Sequence, residues 1–141
     1  MIKYLSVILF VTYFSIALIH FYWLFGGEKW INKALPTDKN GKRVLNPGKF
    51  ETVIVTFGLL LFAFYYFLKI GQFEIEIPRL ITEYSGWIIS VIFIIRAIGD
   101  FKYVGFFKKI KHTEFGKLDT TYFSFISLTI GLIGILIEIL N

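Results

Sequence analysis

The sequence predicts an all-α membrane protein, a four-helix transmembrane bundle forming one integral membrane domain over residues 1–141. Three observations predict it. Hydrophobic residues make up 56% of the chain, above the roughly 45–50% of ordinary soluble domains. The excess is gathered into four blocks, each reaching, with its flanks, the roughly 20 residues that cross a hydrocarbon core. The lysines and arginines between those blocks are concentrated in the first and third loops. Spans are expected at about 4–25, 52–69, 79–99 and 120–140.

The first block is Tyr4–Phe25. Met1-Ile-Lys3 also fits the short basic start of a signal peptide, but a signal core is about 7–15 residues and ends at small residues. This run is longer and ends in His20-Phe-Tyr-Trp-Leu-Phe25, so a span is expected. Tyr13, Ala17, His20, Leu24 and Gly27 share one stripe of it. Gly26-Gly27 ends the helix, since glycine tolerates the left-handed conformation of a C-cap. The loop that follows offers Trp30 and Ile31 to the interface, a turn at Pro36–Gly41 and a second turn at Pro47-Gly48. The second block is Thr52–Leu68.

Loop two, Gly71–Ile77, alternates apolar and polar residues. With no partner strand, an extended interfacial segment is expected. Pro78 suits the first turn of span three, and Arg79 with Glu83 forms an i, i+4 pair. Span three is almost unbroken from Gly86 to Ile95, then meets Arg96, with Asp100 four residues on. A guanidinium this close to hydrocarbon costs at least roughly 2.5–3.5 kcal/mol. A carboxylate on the same helix face offsets that cost, so Arg96 is expected to pair with Asp100. The bland alternative is an arginine that snorkels to the headgroups.

Loop three mixes aromatics with Lys102, Lys108, Lys109, Lys111 and Lys117. It is expected to lie against anionic lipid rather than to bind nucleic acid. Asp119 before Thr120-Thr121 is expected to cap span four. Thr120, Ser124, Ser127, Gly131, Gly134 and Glu138 then form a stripe of small and polar residues. It is read as an interhelical seam, with Ser124, Ser127, Gly131 and Gly134 as its packing residues and Glu138 near enough to the end to reach water.

Four spans put loops one and three on one face, and these carry eleven cations. The opposite face has Lys3, Lys69 and Arg79 against four glutamates. The positive-inside rule therefore places loops 26–50 and 99–119 in the cytoplasm and both termini outside. Span order brings His20, Arg96, Asp100 and Asp119 to one height, with Trp23, Tyr22 and Tyr122 nearby. That cluster is the candidate site. Taken singly, His20 reads most simply as a packing histidine and Asp119 as a cap.

The absence of cysteine excludes a disulfide, a thiol nucleophile and a Cys-ligated metal. No metal site is expected from His20 and His112 alone, and no cofactor motif, nucleophile elbow or phosphate loop is present.

His20-Phe-Tyr-Trp23, Gly26-Gly27, Leu35-Pro36, Arg96-Ala-Ile-Gly-Asp-Phe101, Gly105-Phe-Phe107, and Phe115 to Asp119 with Tyr122 together resemble the bacterial family called domain of unknown function 3995. The resemblance covers nearly the whole chain, and Arg-x-x-Gly-Asp with Gly-Phe-Phe is its most specific part. Ser124 departs from the Pro-Leu pair more typical after Tyr122-Phe123. The resemblance implies a small four-span protein of a bacterial inner or plasma membrane and no particular chemistry. Three functions are compatible with the residues. The first is binding of a lipid headgroup, a small molecule or a partner helix at the cluster. The second is a membrane enzyme acting on a lipid or isoprenoid, with His20 as acid or base. The third is an oligomeric transporter or channel subunit. The expected partners are membrane lipids and, for a helix contact, a second copy or another membrane protein.

Overall fold

A computed structural model describes residues 1–71 and 78–141. Its elements are α1 (Ile2–Leu24), α2 (Ile31–Ala34), α3 (Lys49–Ile70), α4 (Arg79–Ile98), α5 (Glu114–Leu118), a π turn (Asp119–Phe123) and α6 (Ser124–Leu140). The last three run on as one helix, Glu114–Leu140. Four helices, this one with α1, α3 and α4, are long and apolar enough to cross a membrane. The chain is a multi-pass helical membrane protein. The expected extended segment of loop two lies almost wholly outside the described residues.

The helix ends follow from local chemistry. At the end of α1, Gly26 takes φ +88°. Its N–H donates to Trp23 O at 3.0 Å, and that of Gly27 to Tyr22 O at 3.0 Å. These are the two bonds of a Schellman motif, which satisfies carbonyls the helix would otherwise leave open. At the start of α4, Arg79 Nε donates to Glu83 Oε1 at 2.6 Å, the expected i, i+4 pair.

The start of the last span departs from expectation. Thr113, not Asp119, is the N-cap: its Oγ1 accepts from Gly116 N at 3.0 Å. The helix therefore begins at Glu114, six residues earlier than a cap at Asp119 requires. Asp119 sits in the π turn, where Ser124 N–H reaches back to Asp119 O. A π turn inserts one residue into the helical repeat. Here Asp119 is fully buried, and Tyr122 is 56% exposed.

The bundle is two helix pairs: α1 packs along α3, and α4 along α6. Small residues allow the second pair to close. A Cβ on Gly131 would lie 2.8 Å from Ile94 Cδ1, and one on Gly134 2.2 Å from Ser90 Oγ. Ser124 and Ser127 are buried on the same stripe. Close approach of this kind is how helices associate where lipid removes the hydrophobic drive. Aromatic rings join the two pairs. Tyr13 stacks on Tyr66 at 5.6 Å and meets Phe93 of α4 at 5.0 Å.

A polar link joins the pairs at the end that carries the termini. Lys69 Nζ lies 3.0 Å from Glu138 Oε1, with side chains only 13% and 3% exposed. Tyr65 Oη donates to the same carboxylate at 3.2 Å. The sequence places Glu138 near enough to the span end to reach water. Instead its carboxylate fills a notch at Gly86, where a Cβ would meet Oε1 at 2.0 Å.

Candidate functional site

The site lies at the opposite end, where α4 stops. Gly99 (φ +89°) and Gly105 (φ +86°) turn the chain back on itself. Only glycine fits this crossing. A Cβ on Gly99 would sit 1.8 Å from Val104 O, and one on Gly105 2.4 Å from Gly99 Cα. Phe106 N–H donates to Ala97 O at 2.8 Å, so the returning chain satisfies a carbonyl at the helix end.

Asp100 organises this turn. Its Oδ1 accepts the N–H groups of Lys102, Tyr103 and Val104 at 2.9, 2.7 and 2.9 Å. Burial pushes its carboxyl up, but the N–H groups of Val104, Tyr103 and Lys102 outweigh that and hold it below its ordinary value. The expected Arg96–Asp100 pair is therefore not formed. The chain leaves the helix at Gly99, so i, i+4 geometry no longer applies to Asp100, and its donors are the turn's own amides.

The partner of Arg96 is Asp119. Arg96 Nη2 donates to Asp119 Oδ1 at 2.6 Å. The other oxygen, Oδ2, accepts from Gly105 N at 2.8 Å, Lys108 Nζ at 3.0 Å and Ser124 Oγ at 3.2 Å. Lys108 also donates to Gly105 O at 2.9 Å and Thr120 Oγ1 at 2.6 Å. Its three ammonium hydrogens thus have three acceptors. The side chains of Lys108 and Asp119 are fully buried, whereas that of Arg96 is 32% exposed.

The charges do not balance. Two cations surround one carboxylate, and the guanidinium is incompletely used. Arg96 Nη1 is buried and has no hydrogen-bond partner among the described residues. The cluster locks loop three to the end of the bundle and keeps one positive charge in excess.

His20, Trp23 and Tyr122 stand apart from this network. His20 Nδ1 faces Ile16 O at 2.9 Å, and its ring meets Trp23 edge-on at 4.9 Å. Trp23 Nε1 donates to Lys29 O at 2.8 Å. Among the described residues, no hydrogen bond or ion pair joins these side chains to Arg96, Asp100 or Asp119. Nor do three His, Cys, Asp or Glu side chains gather there in a metal-binding arrangement.

Lys108 is absent from the cluster the sequence suggests, and there Gly105 and Thr120 appear only in a family motif and a packing stripe. Lys108 reads as one more headgroup-facing lysine in a basic loop. Its one cue is its place directly after Gly105-Phe-Phe107, the segment that carries much of the family resemblance.

No curated protein and no solved structure matches the chain. The family model described as Protein of unknown function (DUF3995) matches residues 13–133, a stretch that holds His20 and the whole Arg96–Lys108–Asp119 network. The chain belongs to that family.

Proposed function

We propose that this protein binds the phosphate of an anionic lipid headgroup through Arg96, at the cytoplasmic face of a cell membrane. The observation that carries the reading is the state of the guanidinium: the Arg96 side chain is 32% exposed, Nη2 is held by Asp119, and Nη1, itself enclosed by protein, has no acceptor among the described residues, so a phosphate oxygen reaches it by displacing the side chains that cover it. A phosphate oxygen is the acceptor that a membrane supplies in quantity at this level, and arginine binds it with geometric specificity. The excess of one positive charge favours an anion over a neutral polar group. The positive-inside rule, applied to loops one and three, supports the cytoplasmic placement.

The enzyme alternative needs His20 beside a carboxylate. His20 instead faces a carbonyl of its own helix, so the lipid-binding reading is favoured.

Native mass spectrometry tests it. The protein is released into mild detergent with equal amounts of phosphatidylglycerol and phosphatidylcholine. Wild type is expected to keep phosphatidylglycerol preferentially, and Arg96→Gln to lose that preference by about tenfold, the effect of roughly 1.4 kcal/mol for one charge-assisted contact. Unchanged preference in a folded Arg96→Gln protein contradicts the reading.

A further inference from the structure

A second polar feature lies on the same end of the bundle and is independent of Arg96. Loop one makes a tight hairpin, with Thr37 bridged to Arg43. Asp38 Oδ1 holds the N–H groups of Asn40 and Lys42 at 2.8 and 2.9 Å. The hairpin stands against residues 112–115 of loop three and encloses a cleft of about 430 Å³. Lys33 and Glu114 tie the two loops together at 2.9 Å.

The chemistry of the cleft is one-sided. Lys39, Arg43 and His112 line it. Lys39 and His112 have no hydrogen-bond or ion-pair partner among the described residues, and the Arg43 guanidinium donates only to Asn32 Oδ1. The one carboxylate in the lining, Glu114, is engaged in a solvent-exposed ion pair with Lys33. The walls therefore present two fixed positive charges and an imidazole to a space that holds no free anion of the protein's own. Arginine in a fork and lysine as a point charge together suit a compact dianion.

We propose that this cleft binds a phosphate monoester, with Arg43 and Lys39 on the phosphate oxygens and His112 beside them. A monoester carries close to two negative charges at neutral pH, matching the fixed charges of the cleft. A lipid phosphodiester carries one. The monoester is either that of a small soluble molecule or the headgroup of phosphatidic acid, and the cleft volume admits a short organic substituent in both cases.

The test uses the full chain in nanodiscs of phosphatidylcholine. Glycerol 3-phosphate is titrated by calorimetry, with glycerol as the uncharged control. Saturable binding of the phosphate alone is expected. It should weaken at least tenfold in the Lys39→Gln/Arg43→Gln double variant and be unchanged in Lys3→Gln at the far end of the bundle. Both substituted side chains are exposed, and thermal unfolding checks that the variant folds. In a second arm, phosphatidic acid is added to the nanodiscs. Loss of glycerol 3-phosphate binding there, with phosphatidic acid retained on the detergent-released wild type but not on the double variant in native mass spectrometry, assigns the monoester to the lipid; undiminished binding assigns it to a soluble compound. Absence of saturable binding in both arms overturns the proposal, as does a folded double variant that binds like wild type. Because Arg96→Gln leaves Lys39 and Arg43 in place, failure of the lipid-phosphodiester reading and failure of this one are separable.

Discussion

Asp119 holds the loop end of the molecule together because four donors converge on its two oxygens: Arg96, Gly105, Lys108 and Ser124. Removing one member of a buried ionic network leaves the others charged and unpaired, at a cost of about 3–5 kcal/mol. Asp119→Ala should lower stability by that order, read as the unfolding midpoint in detergent. A change within about 0.5 kcal/mol, the size of an ordinary surface substitution, would show that the network carries no stability. Asp100 behaves differently because it serves the turn. Its folded carboxyl titrates below the unfolded value of roughly 3.9. The stabilisation it adds is thus complete above that value and is lost as pH falls through the folded one. The amide resonances of Lys102, Tyr103 and Val104 should shift together with a midpoint below about 3.9, and Asp100→Asn should abolish the titration. A midpoint at or above the unfolded value contradicts the turn assignment. Both residues were visible in the sequence as charges near a span end. Which of them met Arg96 was not, because the choice depends on Gly99 and Gly105 crossing, a contact between residues the helical periodicity treats as separate.

At the scale of elements, the four spans were legible from apolar length alone, and the turn at Gly26-Gly27 from glycine chemistry. The start of the last helix was not. Asp119-Thr-Thr121 has the composition of a cap, but Thr113 caps the helix earlier and the π turn carries Asp119 inward. Local propensity cannot distinguish a capping aspartate from one buried by a partner distant in sequence. The same limit applies to Lys69 and Glu138, near the ends of different spans and joined only by packing. This buried pair links the α1–α3 and α4–α6 pairs, and its energetics are testable as a cycle. Lys69→Met and Glu138→Leu should each destabilise, by a few kcal/mol. The double substitution should recover much of that loss, since apolar replacement of a whole buried ion pair is often neutral. Strictly additive losses would show that the two side chains do not interact.

At the scale of the molecule, opposite ends have opposite designs. The end with the termini carries a balanced ion pair beside tyrosines, and the other carries an excess of positive charge among basic loops. That asymmetry was readable from the lysine and arginine count, and it predicts orientation. The chain has no cysteine, so single introductions report without background. In intact cells, Asn141→Cys should react with a membrane-impermeant maleimide, and Asn40→Cys only after the membrane is opened. The reverse pattern would invert the topology and remove the cytoplasmic placement of the Arg96 cluster.

The most direct measurement is an experimental structure of the full chain in a bilayer containing phosphatidylglycerol. A phosphate is expected within hydrogen-bond distance, about 3 Å, of the Arg96 guanidinium, with Asp119 still on Nη2. A guanidinium closed over by protein, with no lipid phosphate in reach, would contradict it.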